Sequence, residues 1–191
     1  TGAMYRAMAL YMIEHKIDVS HLDEVGSACD AITIDIQYSA GEQQVILNGK
    51  NVNDFIRTET VSEMSSKISA IPEVREKLLS LQRSLAAAEN VIMDGRDIGT
   101  HVLPNADVKI FLTADAHVRA VRRYEEFIAK GVSCTLENVE REVIERDERD
   151  MNRAIAPLKQ AEDAVRVDTS AMTIEEVVCY LKNLIGQAVA R

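Results

Sequence analysis

Residues 90–115 read NVIMDGRDIGTHVLPNADVKIFLTAD, and this stretch decides the fold class. Val91, Ile92 and Met93 form an apolar run that stops at Asp94. A short run bounded in this way suits a strand buried on both faces. Val108, Ile110, Phe111 and Leu112 give a second such run, ending at Thr113 and Asp115. Two buried strands joined by a loop point to a parallel α/β sheet, in which ligands sit beyond the carboxyl ends of the strands. The loop itself opens with Asp94-Gly95-Arg96-Asp97-Ile98-Gly99: two acids, one base and two glycines. Its place just past Met93 admits two readings, a ligand site or a surface turn closed by an Asp–Arg pair.

Downstream, residues 115–130 read as a helix ended by Gly131. Its Arg119, Arg122 and Arg123 read by themselves as a solvated basic face. Thr135 caps the next helix, whose stripe of Leu136, Val139 and Val143 keeps spacings of three and four. The same rhythm then turns ionic, as Arg146, Asp150 and Arg153 with Arg149 beside them, in ERDERDMNR. Charges placed where a core stripe continues are costly unless they meet partners. That density of arginine favours an anion site over a salt-bridged helix end. Pro157 limits the helix, because its predecessor is biased toward extended geometry. Residues 164–167 read as a last short strand, and Thr173 with Glu176 as the capping box of a final helix.

Upstream, residues 2–16 read as a helix, with Tyr5, Ala9, Met12 and Ile13 at helical spacing. Arg6 in its first turn opposes the helix dipole and so serves an anion better than it serves the helix. Ser20 is the expected cap of a second short helix. Ile32, Ile34 and Ile36 alternate with polar residues, and Asn48-Gly49 is a hairpin signal. Residues 31–59 thus read as a small antiparallel β insert, its third strand expected around Val52 and Phe55-Ile56. Residues 61–71 read as helical, and Pro72 suits the first position of the helix after them. Ser66 and Arg75 flank the break between these helices, where side chains can be aimed into a cleft.

The chain has 191 residues, 47% of them hydrophobic, enough for a substantial core. A net charge of −9 argues against a general binder of nucleic-acid polymers but leaves room for a nucleotide site built from clustered arginines. Cys29, Cys134 and Cys179, odd in number and without a CxxC, read as reduced, buried thiols in a cytoplasmic protein. No apolar run approaches a membrane span. The four histidines are scattered and read as structural or exposed.

TGAMYR, the β insert, VREKLLSLQR, DGRDIGT, VKIFL, RAVRRYEE and ERDERDMNR with Ala156-Pro157-Leu158 together resemble the bacterial cytidylate kinases. Each motif is weak by itself; their order and spacing over essentially the whole chain are specific. The resemblance implies a P-loop NTPase-like nucleoside-monophosphate kinase: an α/β fold with a parallel sheet flanked by helices and a small antiparallel β insert. It implies a core over 1–30, 72–118 and 158–191, a CMP-binding arm over 31–71 and a lid region over 119–157. The implied reaction moves the γ-phosphate of ATP to CMP or dCMP, with Mg²⁺, giving CDP or dCDP.

By similarity, Thr1, Tyr5 and Arg6 lie on the CMP side, and Ser66, Arg75 and Asp97 read the cytosine edge. Arg75 can donate to O2 and N3 of the base, and Asp97 can accept from its amino group. Arg6, Arg96 and Arg153 would hold phosphate, while Arg146 and Asp150 would contact the sugar. Arg96, Arg146 and Arg153 are the implied catalytic arginines; Arg122, Arg149 and Arg153 face ATP from the lid. Asp94 would orient Mg²⁺ through water. Such a set suits phosphoryl transfer onto a phosphate, where the nucleophile is already anionic and the protein supplies positioning and charge.

One departure stands out. The family begins with a strand and G-x-x-x-x-G-K-[ST], and no such motif occurs in these residues; Gly49-Lys50 lies inside the hairpin. The expectation is a sheet without its first strand and ATP phosphates without their cradle. A monomer is expected for the complete protein, and association through an exposed edge for a truncated one. Two rival readings follow: a remnant that binds CMP without phosphorylating it, and a related kinase for another small phosphate acceptor.

Overall fold

GAMYRAMALYMIE carries small and apolar residues nearly all round, which suits a helix at the centre of a core. In the computed structural model, which describes residues 1–189, this stretch is α1 (Gly2–Glu14). Met4, Ala7, Met8, Ala9, Leu10 and Met12 are all buried on it. The chain divides into two compact units, Thr1–Gly95 and a second from Arg96 onward. α1 is the axis of the first.

In the first unit α2 (Leu22–Ala31) follows α1. Its N-cap is His21, and not Ser20 as the sequence suggested. Ser20 is taken instead by Asp18, whose Oδ1 accepts from the Ser20 amide at 2.9 Å and hydroxyl at 2.7 Å. The insert is an antiparallel meander, β1 (Ile34–Ser39), β2 (Glu42–Leu47) and β3 (Lys50–Asn51). Both of its turns use paired left-handed residues, Ala40-Gly41 at φ 53° and 82°, and Asn48-Gly49 at φ 47° and 82°. Such two-residue loops match the right-handed strand twist. The third strand falls at Lys50–Asn51, ahead of the expected Val52 to Ile56. The cause is local: a tight Asn48-Gly49 turn starts pairing at once, and the amide of Val52 then closes onto Val45 O at 2.9 Å. Past it, Phe55 and Ile56 turn back onto Val52 O.

α3 (Glu59–Ile68) packs on α1. α4 (Pro72–Ala88), with Pro72 in its first turn, packs on α2. Val74 and Leu78 of α4 are fully buried, and Leu81 and Leu85 complete its face. Residues 91–94 depart from expectation. They form no strand, and Ile92 is 93% exposed. A strand exists only through hydrogen-bonded neighbours, and among the described residues none pairs with this run.

The second unit opens with a π-helical turn, Ile98–Val102. β4 (Ile110–Thr113) pairs in parallel with β5 (Val165–Asp168), in the register Ile110↔Val165 to Thr113↔Asp168. β4 is half-buried, with Leu112 53% exposed, so it is not the fully covered strand its apolar run suggested. α5 (Ala116–Ala129) and α6 (Leu136–Asn152) pack together around Ala120, Val139 and Val143. Gly131, at φ 73°, ends α5, with Val132 N bonding back to Phe127 O at 2.9 Å. α7 (Ile174–Val189) starts at the expected capping box: Glu176 accepts from Thr173 N, and Thr173 Oγ1 from Glu176 N. All three cysteines are free, but only Cys29 is buried; Cys134 is half-buried and Cys179 exposed.

Leu78 is 0% exposed in the core around α1. Leu78→Ala is expected to lower stability by about 2–5 kcal/mol, read from the urea midpoint at unchanged slope. A loss well below that would mean that the core collapses onto the gap.

Candidate functional site

The apolar stripe of α6 reaches Val143 and then becomes Arg146 and Asp150. The Asp150 side chain is only 14% exposed, and its Oδ2 accepts from Arg96 Nε at 3.1 Å. Arg146 Nε lies 4.0 Å from the same oxygen. Arg153, which ends α6, places Nη2 3.6 Å from Asp97 Oδ1, both side chains being 11% exposed. The second unit thus gathers Arg96, Arg146 and Arg153 with Asp97 and Asp150. Such groups are held away from water only when paired.

Backbone fixes this cluster from two sides. Asp97 O accepts from the amides of His101 and Val102, which starts the π-helical turn. Past α6, Leu158 N donates to Asp150 O at 2.8 Å, and Arg153 Nε donates to Ala156 O at 2.7 Å. Ala156 takes φ 46°, contrary to the extended geometry expected before Pro157. Those two bonds offset the cost of the left-handed residue. A Cβ at Gly99 would lie 3.2 Å from Lys109 Cδ, so the lysine side chain would have to give by a few tenths of an ångström. Lys109 is itself tied to Asp163 at 2.5 Å and to Pro104 O.

The arginines of α5 are not a solvated face. Arg119 grips Asp147 with two nitrogens, at 3.1 and 2.6 Å, and donates through Nε to Ala114 O. Arg122 donates to Thr169 O at 2.7 Å and Met172 O at 3.2 Å, and Arg123 lies over the Phe127 ring at 5.0 Å. The reason is the neighbourhood: α6 supplies Asp147, and the end of β5 supplies open carbonyls. Arg149 is outside the cluster and lines a shallow hollow with Glu145, Glu148 and Asn152.

In the first unit Arg6 donates through Nη1 to Ser62 Oγ at 2.7 Å and to Ile56 O at 3.1 Å. Arg75 is 7% exposed and donates to Ser69 O at 3.1 Å. Ser66 is half-buried on α3, and Tyr5 packs against the core. Thr1 Oγ1 donates to Asp94 O at 2.7 Å, while the Asp94 carboxylate is 99% exposed. Sequence reading missed Ser62 and Asp147, which hold Arg6 and Arg119. The one signal for Ser62 is its spacing of four from Ser66, which puts both on one helix face.

Chemically, the second unit's cluster carries one more positive than negative charge in partly water-excluded surroundings. Guanidinium forks so held suit phosphate oxygens. The family model for cytidylate kinase matches residues 1–187. The chain belongs to the cytidylate kinase family. It is 49% identical to the cytidylate kinase of Carboxydothermus hydrogenoformans over 98% of this chain and 84% of that one. It is 45% identical to that of Lactobacillus johnsonii, over 97% and 80%, and 43% identical to that of Pasteurella multocida, over 98% and 82%. The family's P-loop nucleoside-monophosphate kinase fold accords with the parallel pair β4–β5, its flanking helices and the antiparallel insert. Among the described residues no helix is long and apolar enough to cross a membrane.

His117, at the start of α5, meets Glu140 Oε2 of α6 at 2.9 Å, and that bond raises its pKa above 6.5. With the folded pKa raised, the contact stabilises fully below the unfolded value and is lost as pH rises through the folded one. An NMR titration should place His117 above 6.5, and Glu140→Gln should bring it back. An unchanged midpoint in the variant would remove Glu140 as the cause.

Proposed function

We propose that this chain catalyses transfer of the γ-phosphate of ATP to CMP or dCMP, giving CDP or dCDP. The observation that carries the reading is the match to the cytidylate kinase family through residues 1–187. Every acceptor-side position named above falls within that match. Arg75 and Asp97, both nearly buried, are read as contacts of the base, as is Ser66. Arg6, Arg96 and Arg153 neutralise phosphate; Arg146 and Asp150 take the sugar; Thr1 and Tyr5 support the CMP side. Of the lid arginines, Arg149 is the better placed for ATP, since Arg122 is committed to Thr169 and Met172, and Arg153 to Asp97 and Ala156.

The acceptor phosphate is already anionic, so chemistry needs alignment and charge neutralisation and no protein base. Mg²⁺, when bound, would offset the charge of the ATP phosphates. The exposed Asp94 carboxylate fits a water-mediated contact to such an ion. Among the described residues no cluster of three or more His, Cys, Asp or Glu forms a cage, as suits an ion held mainly by phosphates and water. We propose a cytoplasmic enzyme, monomeric when complete.

Calorimetry of CMP on the chain tests acceptor binding, and CDP formation tests transfer. Transfer is measured on the chain alone and with a segment bearing G-x-x-x-x-G-K-[ST] ahead of Thr1. CMP binding with CDP formation is the expected pattern. No CDP in either supports the binding-only reading. In the active form, Arg75→Ala and Asp97→Ala should erode a CMP-over-UMP preference that buried polar readers can raise to roughly 10⁴-fold. Unchanged discrimination in both would dismiss them as base readers. Arg153→Ala should slow single-turnover transfer by about 10³-fold, an effect larger than the loss in Tm from removing the cation beside Asp97. A large drop in Tm with a near-normal rate would make Arg153 structural.

A further inference from the structure

We propose that Ser62 is a positioning residue that sets the plane of the Arg6 guanidinium for the acceptor phosphate; this rests on the reading of Arg6 as phosphate-binding. Arg6 is the fifth residue of α1, near its N-terminal end, where the helix dipole does nothing to hold a cation. Its placement therefore comes from outside α1. Nη1 donates to Ser62 Oγ at 2.7 Å and to Ile56 O at 3.1 Å. Two bonds from one nitrogen of a planar, delocalised group stop rotation about Nε–Cζ. The directions of all its other N–H groups are then set.

Ser62 is suited to accept. Its Oγ donates to Thr58 O at 2.8 Å, one turn back along α3. The hydroxyl hydrogen is thereby committed, and a lone pair faces Arg6. Thr58 is itself fixed as the N-cap of α3, with Oγ1 accepting from Val61 N at 3.3 Å. α3 packs directly on α1, so the chain Thr58–Ser62–Arg6 runs between two elements of one core. Ser66, the residue assigned to the base, stands one turn further along the same face of α3. One helix face thus sets both a phosphate-binding arginine and a base contact.

An unset arginine must be immobilised when phosphate binds, which costs about three- to tenfold in affinity. The test uses the full chain and calorimetry with CMP and with cytidine. Ser62→Ala should weaken CMP about three- to tenfold and leave cytidine unchanged, and Ser62→Thr should restore CMP. A merely structural serine would move both ligands or neither, and either result overturns the proposal. Arg6→Ala separates the two levels of the argument. If it leaves CMP affinity intact, the reading of Arg6 falls and the proposal with it. If it weakens CMP while Ser62→Ala does not, only the proposal falls. Absence of CMP binding by the unmodified chain overturns both. A second measurement is independent of affinity: ¹⁵N NMR of the Arg6 guanidinium without ligand should show slow rotation, made fast by Ser62→Ala. Fast rotation in the unmodified chain would also overturn the proposal.

Discussion

The Asp150 carboxylate, little exposed and shared by Arg96 and Arg146, is the contact on which the second unit's site depends. A half-buried acid of this kind is tolerable only with cations at hand, and the cations need the acid equally. Asp150 extends the rhythm of Val139 and Val143 along α6, so helix packing delivers it to its partners. The residues after the helix finish the arrangement. Leu158 returns to the Asp150 carbonyl, and the left-handed Ala156 turns its own carbonyl onto Arg153. Strain at one residue is accepted where two hydrogen bonds and an ion pair over-determine it.

The first unit solves a similar problem by another route. There the charged groups rest on serines and carbonyls: Arg6 on Ser62 and Ile56 O, Arg75 on Ser69 O. α1 is buried nearly all round, so a cation rooted on it is guided by the helices that cover it. The second unit's cluster holds both signs of charge, Arg96, Arg146 and Arg153 with Asp97 and Asp150.

The α5–α6 pair has a small core of its own around Ala120, Val139 and Val143. Charged contacts brace it, Arg119 on Asp147 and His117 on Glu140. Arg122 is bound to the end of β5. Arginines that looked alike in RAVRRYEE thus have different tasks, set by what faces each one. Spacing along one helix cannot tell them apart, because the partners lie on other elements.

What the sequence by itself determined is what depends on neighbours along the chain. The helices, the hairpin turn at Asn48-Gly49, the Thr135 cap, the Thr173–Glu176 capping box and the stop at Gly131 all follow from local sterics and short-range hydrogen bonds. The ionic continuation of the α6 stripe was legible for the same reason, since helical periodicity alone puts Val143, Arg146 and Asp150 on one face. Only the tertiary structure decided the rest. Val91 to Met93 has the composition of a strand yet forms none, because pairing needs a neighbour that its own residues cannot supply. Ser20 lost its capping role to Asp18 and His21, and Arg122 lost its solvent to Thr169 and Met172. Ser62 became the holder of Arg6 across a separation of 56 residues, a relation fixed only when α1 and α3 pack together.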